Sequence, residues 1–211
     1  MTTRSHRTSA AVQSLIEEFE AAAVADREPA ETPDVGIIMG SDSDLDVMAG
    51  AHDALTSLGF AEITDDDPTP STTYTFESYV ISAHRTPTLM DAYARTAADR
   101  GLRVIIAGAG GKSADLPNMT ASLAFPIPVI GVPVQEKSVD SIIGMPTGAP
   151  IVAVDAGKSF NAGLSAAQIL ATSDPTLSDQ LAEYHRDLQT AVVTASRRLH
   201  EIGTPAYLER E

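Results

Sequence analysis

The residues best equipped for chemistry gather in three short stretches, each following a β-prone run. Ser82-Ala83-His84-Arg85-Thr86-Pro87 sets an imidazole, which exchanges a proton near neutral pH, beside a guanidinium that can grip a phosphate or carboxylate through a bidentate fork. A lone histidine is more often structural than catalytic. At the turn from a strand into a helix, with Arg85 beside it, the two readings carry similar weight. Gly40-Ser41-Asp42-Ser43-Asp44 offers a tight turn, two hydroxyls and the free N–H groups of a helix start, which together attract an anion. The same turn serves equally as a plain N-cap through Asp42 or Ser43. Gly108-Ala109-Gly110-Gly111 lets a ligand come close to the backbone, or lets a helix pack closely on a strand.

Several other patterns fail on inspection. Asp42, Asp44 and Asp46 have a calcium-loop spacing, but the sixth position is Val47 where a glycine is needed. Gly111-Lys112-Ser113 and Gly157-Lys158-Ser159 end like phosphate-binding loops, yet Ile106 and Val152 occupy the required first glycine. Ser113 likewise replaces the third glycine of a dinucleotide fingerprint, so neither ATP nor NAD is supported. Asp65-Asp66-Asp67 reads as a solvated loop, and His185 as a surface or interface residue of the last helix.

The elements that must position these residues follow from periodicity. Val12, Leu15, Ile16 and Phe19 are spaced for a helix over residues 9–27 that packs on the main domain, broken by Glu31-Thr32-Pro33. Val35–Met39 is a strand, and a helix then runs to about Leu58, stopped by Gly59. Ala61 to Thr73 is an exposed loop rich in Asp, Thr and Pro. Tyr74–Ile81 is a strand, followed by a helix opened by Pro87 and closed near Arg100-Gly101. Val104–Ala107, Ile127–Val132 and Pro150–Val154 are further strands, with helices over 158–172 and from Asp174-Pro175 to about His200. Such alternation implies an α/β fold with a mainly parallel sheet covered on both faces. In such sheets ligands bind at the carboxyl ends of the strands, where all three chemical stretches fall. Residues 1–33 are expected to form a helical extension, 34–173 the catalytic domain, and 174–211 a long helix and tail.

Composition narrows the function. The 211 residues include no cysteine, which excludes disulfides, thiolate metal sites and a cysteine nucleophile. No apolar run approaches the roughly 20 residues of a membrane span, and no signal-peptide core follows the two arginines of residues 1–8, so a cytoplasmic location is expected. A formal net charge of −15 repels nucleic acid and anionic membranes, while a phosphate can still bind where backbone N–H groups and a local arginine prevail. The same acidic excess, with few lysines, suits high salt; plain solubility is the simpler account.

Five ordered segments together resemble one family, the class I N5-carboxyaminoimidazole ribonucleotide mutases of purine biosynthesis, the PurE type. They are Met39 to Asp44, Ser82 to Pro87, Ile105 to Gly111, Gly131-Val132-Pro133-Val134-Gln135, and Ala166-Ala167-Gln168-Ile169-Leu170, within about residues 34–172. The resemblance implies a flavodoxin-like three-layer α/β sandwich, assembled as a homo-octamer with active sites at subunit interfaces, and neither metal nor organic cofactor. It further implies that Ser41, Ser43 and Arg85 bind the ribonucleotide phosphate, Asp44 the ribose hydroxyls, and that Ser82 lines the site beside the carboxylate. His84 would be the general acid/base.

The sequence departs from the family pattern on the side that should handle CO2. Gly111-Lys112-Ser113-Ala114-Asp115-Leu116-Pro117 has one extra residue and carries Asp115 where the family has His. The segment 135–145 is short, Thr147 replaces a common Arg, and the loop 65–73 is inserted. A direct CO2-dependent aminoimidazole ribonucleotide carboxylase, or a non-catalytic phosphoribosyl-ligand binding module, are the competing readings.

Overall fold

The computed structural model describes residues 8–26 and 31–209. The start of the chain through residue 7 and the predicted helix end at Arg27 lie outside them. Two compact units divide the chain, Met1–Ile169 and Leu170–Glu211.

The first unit is built on a six-stranded sheet in the order β2-β3-β1-β4-β5-β6. Its strands are β1 (Val35–Met39), β2 (Ala61–Glu62), β3 (Thr75–Val80), β4 (Val104–Ala109), β5 (Val129–Pro133) and β6 (Val152–Ala153). Every pairing is parallel, so the expected mainly parallel sheet is wholly so. β1, β4 and β5 are buried along their entire length, as continuous apolar strands covered on two faces must be. Without the two-residue edge strand β2, the order is that of the flavodoxin-like fold, with the chain reversing direction across the sheet between β1 and β4.

Alternating side chains assign the two covering layers. Ile38, Ile105, Ala107 and Val129 join a core with α1 (Ala10–Val24), α3 (Pro87–Thr96) and α4 (Leu116–Leu123). On the other face Gly108 leaves room for Met48 of α2 (Leu45–Ser57): a Cβ there would lie 2.1 Å from the Met48 sulfur. α6 (Ser159–Ala171) packs on α2 through Gly163, whose added Cβ would lie 2.7 Å from the Ala51 carbonyl oxygen. The result is the three-layer sandwich that the resemblance implied.

α1 forms as its spacing predicts, with Ser9 as N-cap, Ile16 and Phe19 buried, and Val12 and Leu15 packed against the core. It is held by more than apolar contact. Arg100 is buried and donates to both carboxylate oxygens of Glu77, at 2.7 and 2.9 Å. Its guanidinium lies 4.7 Å from the centre of the Phe19 ring and 4.6 Å from that of Tyr93. A paired, hydrogen-bonded charge is the form in which an arginine tolerates burial.

Periodicity does not reveal β2, α4 or α5 (Val139–Ile143), each too short for a clear repeat. In the second unit, α7 (Pro175–Leu208) starts as predicted, with the Asp174 carboxylate accepting from the N–H groups of Thr176 and Leu177. Its regular part stops close to the expected end at about His200, where Gly203 (φ 76°, ψ 160°) interrupts it, and Pro205 then opens a further helical segment that carries the span to Leu208. Among the described residues no helix is long and apolar enough to cross a membrane.

Candidate active site

The three stretches singled out by chemistry converge at the carboxyl ends of β1, β3 and β4, where the strand order reverses. They line one polar cavity of about 300 Å³, at the small end of the range for small-molecule sites. Ser41, Ser43, Asp44, Ser82 and His84 all line it, together with Gly110 and Gly111.

Each turn is fixed by its own hydrogen bonds. After β1, the Gly40 N–H donates to the Gly108 carbonyl at 3.0 Å, which ties the first turn to the end of β4. Ser41 caps a single 3₁₀ turn over Asp42–Asp44 that leads into α2, and its hydroxyl accepts from the Ser43 N–H at 3.4 Å. The Asp42 carboxylate accepts from the same N–H at 3.0 Å. The turn does cap, but through Ser41 rather than the expected Asp42 or Ser43, and capping coexists with a place in the cavity wall.

After β3, Ser82 and Thr86 close a tight loop: the Ser82 N–H donates to the Thr86 hydroxyl at 3.0 Å, and that hydroxyl donates to the Ser82 carbonyl at 3.1 Å. Pro87 stands in the first turn of α3, as the sequence predicts. Arg85 reaches back, donating from its guanidinium to the Gly40 carbonyl at 2.9 Å and to the Ser82 hydroxyl at 3.3 Å. Of the six residues expected in the site, it is the one that does not line the cavity, and it braces the first two turns against each other.

Asp44 is nearly buried, with its carboxylate wedged between glycines. A Cβ on Gly110 would lie 3.2 Å from one of its oxygens, and a Cβ on Gly40 3.5 Å from the other. Burial raises its pKa above the ordinary carboxylate value, against the opposing pull of the Ser41 and Gly110 N–H groups and of Arg85. Gly111 has φ +85°, a conformation side chains rarely adopt, and its carbonyl accepts from the Ser138 hydroxyl at 2.8 Å.

The cavity also holds residues that the motifs did not mark as ligands. Asp115, at the head of α4, contacts the His84 ring: its Oδ2 is 2.9 Å from Nε2. Ser113, Gln135 and Lys137 complete the wall. Lys137 went unnoticed because it follows β5 in a 3₁₀ turn without a phosphate-loop pattern; its only signal is its place just beyond a strand's carboxyl end. Chemically the site offers one proton-exchanging imidazole, a hydroxyl-lined helix start suited to an anion, and a buried carboxylate able to accept hydrogen bonds.

A family model described as AIR carboxylase matches residues 34–191. An N5-carboxyaminoimidazole ribonucleotide mutase of Synechocystis sp. is 45% identical over 186 residues, covering 85% of this chain and 97% of that protein. A phosphoribosylaminoimidazole carboxylase of Schizosaccharomyces pombe is 44% identical over 187 residues, but the match spans only 31% of its length. The crystal structure of Treponema denticola PurE superposes with a TM-score of 0.61 at 23% identity, covering 78% of this chain and 97% of that one, which speaks to the fold.

Proposed function

Because the chain belongs to the AIR carboxylase family, we propose that it is an N5-carboxyaminoimidazole ribonucleotide mutase of purine biosynthesis. It is an isomerase that moves CO2 from the exocyclic nitrogen of the aminoimidazole to ring carbon C4. The observation that carries this reading is His84 sharing one polar cavity with the anion-suited turn of Ser41 and Ser43. The near full-length match to a mutase separates it from a generic phosphate binder.

Each residue then has a task. Ser41, Ser43 and the start of α2 receive the phosphate, with Arg85 adding positive charge from behind Gly40. Asp44 accepts from the ribose hydroxyls, and Ser82 lies beside the carboxylate. His84 starts as the imidazolium. It gives its proton to the exocyclic nitrogen as the N–C bond breaks, the bonding pair stays on nitrogen, and CO2 is released into the cavity. The electron-rich ring attacks CO2 through C4. The neutral imidazole then removes the C4 proton, and the C–H pair restores the aromatic ring. One proton is given and one recovered, so no co-reactant is consumed. Exclusion of water keeps the CO2 in place. Lys137 adds a positive charge to a cavity that already holds Asp44 and Asp115, and so favours an anionic ligand.

The reading extends to a cytoplasmic homo-octamer adapted to salt, with residues 34–173 as the catalytic domain. Light scattering should return eight times the 22.1 kDa chain. The activity itself is tested with purified protein in high KCl, supplied with N5-carboxyaminoimidazole ribonucleotide and neither bicarbonate nor ATP. Conversion of this substrate alone is expected. Turnover only of aminoimidazole ribonucleotide with bicarbonate would replace the mutase by a direct carboxylase, and binding without turnover of either would leave a binding module.

A further inference from the structure

His84 stands on the turn after β3 and Asp115 at the head of α4, 31 positions further along the chain, yet their side chains meet at 2.9 Å through Nε2 and Oδ2. Both side chains remain open to the cavity, at 62% and 41% exposure, so the contact is not a by-product of core packing. Asp115 is nonetheless firmly placed. Ala114 and Leu116 on either side of it are buried, and Pro117 fixes the first turn of α4. Asp115 gives no side-chain cap to its own helix, so its carboxylate is free for the ring. Asn118 in the next turn donates to the Ser141 carbonyl at 2.5 Å and ties α4 to α5.

We propose that Asp115 is a positioning residue for His84, which it holds by Nε2 so that Nδ1 is the atom exchanging the proton with the substrate. A carboxylate accepts and cannot donate, so a hydrogen bond at Nε2 places a proton there and leaves the lone pair of the neutral ring on Nδ1. Among the described residues no hydrogen bond engages Nδ1. When His84 becomes the imidazolium, the proton on Nε2 stays there, donated to the Asp115 carboxylate, and the second proton sits on Nδ1, ready for delivery. Both halves of the reaction then use one ring atom, and the ring need not flip between them. The remaining charged groups around the ring are Asp44 from the first turn, Arg85 from its own turn and Lys137 from the turn after β5. None of these has a hydrogen bond to the imidazole, so Asp115 alone sets the tautomer.

This inference rests on the acid/base role proposed for His84, and its test separates the two. The chain is labelled with ¹⁵N-histidine, and the His84 ring signals are assigned by their loss in His84→Gln. They should report a single Nε2–H tautomer in the ligand-free protein and a mixture in Asp115→Ala. In turnover, Asp115→Ala should lower kcat about 10- to 100-fold with KM within about threefold, as for loss of a residue that orients a histidine. Asp115→Glu should recover part of kcat, whereas a purely structural role would recover no tautomer with it. Unchanged ring signals in Asp115→Ala, or a kcat equal to the parent's, would overturn the inference. An inactive parent with the tautomer intact would overturn the proposed function and leave the pairing standing.

Discussion

At the scale of single residues, the roles proposed for His84 and Asp44, proton transfer and sugar binding, make opposite demands on the fold. His84 is exposed to the cavity and contributes little to the core, so its loss should be almost purely chemical. His84→Gln is expected to lower kcat about 10²–10⁴-fold, the usual worth of a general acid/base, with ligand affinity by calorimetry within about threefold. Undiminished turnover would remove the histidine from the mechanism. Asp44 is the contrasting case. Burial raises its folded-state pKa above the unfolded value of 3.8, so the proton favours the folded chain and the charged form strains it at neutral pH. The charge therefore works against stability above that range, and the penalty fades as the pH falls through the folded pKa. Asp44→Asn should melt at a higher temperature than the parent at neutral pH, with the gap closing on acidification, while turnover falls. A parent that outlasts the variant at neutral pH would mean that the Ser41 and Gly110 N–H groups outweigh burial. The sequence marks both residues by type, yet gives no sign of their difference in burial, which arises because Gly40 and Gly110 close around Asp44.

At the scale of elements, the site depends on how closely α2 is seated under the sheet, since the first turn feeds directly into it. Gly163 allows α6 to touch the Ala51 backbone and Ala54 of α2, and a Cβ there would meet both at 2.7 Å. Neither contact is the end of a flexible chain, so Gly163→Ala must push the helices apart. The expected loss is about 1–3 kcal/mol in denaturant titration, with unchanged stability as the contrary result. Two elements were legible for different reasons. The Val12–Phe19 stripe repeats at helical spacing over enough residues to exclude a strand, while Val35–Met39 is a short continuous apolar run bounded by Pro33 and Gly40, as a buried strand is. α4 was hidden because Leu116–Leu123 spans only two turns and starts with Leu-Pro, which reads as a break. Missing α4 also hid the partner of His84. Asp115 stood out as a departure from a family motif, but only the seating of α4 brings its carboxylate to the ring.

At the scale of the molecule, the dominant quantity is the net charge of −15, and the question is whether salt helps or harms such a chain. Salt screens attraction and repulsion alike, over about 10 Å at 0.1 M and about 3 Å at 1 M, so the balance depends on what each would lose. The attractive side is small. Arg95–Asp91 and Arg198–Glu201 are exposed helical pairs of little worth, while the Arg100–Glu77 pair is buried and largely insulated from ions. The repulsive side is large, because 29 acidic residues face only 14 basic ones, and Asp65-Asp66-Asp67 lies exposed in one loop. Relief of repulsion should therefore win. The melting temperature is expected to climb steeply in KCl up to several tenths molar, where screening nears completion, and then to flatten. A second series in potassium sulfate matched for ionic strength separates charge screening from preferential exclusion, which grows without a plateau and favours sulfate. Coincident, saturating curves would assign the stabilisation to relieved self-repulsion. Equal melting temperatures at low and molar KCl would show that the acidic surface serves solubility alone.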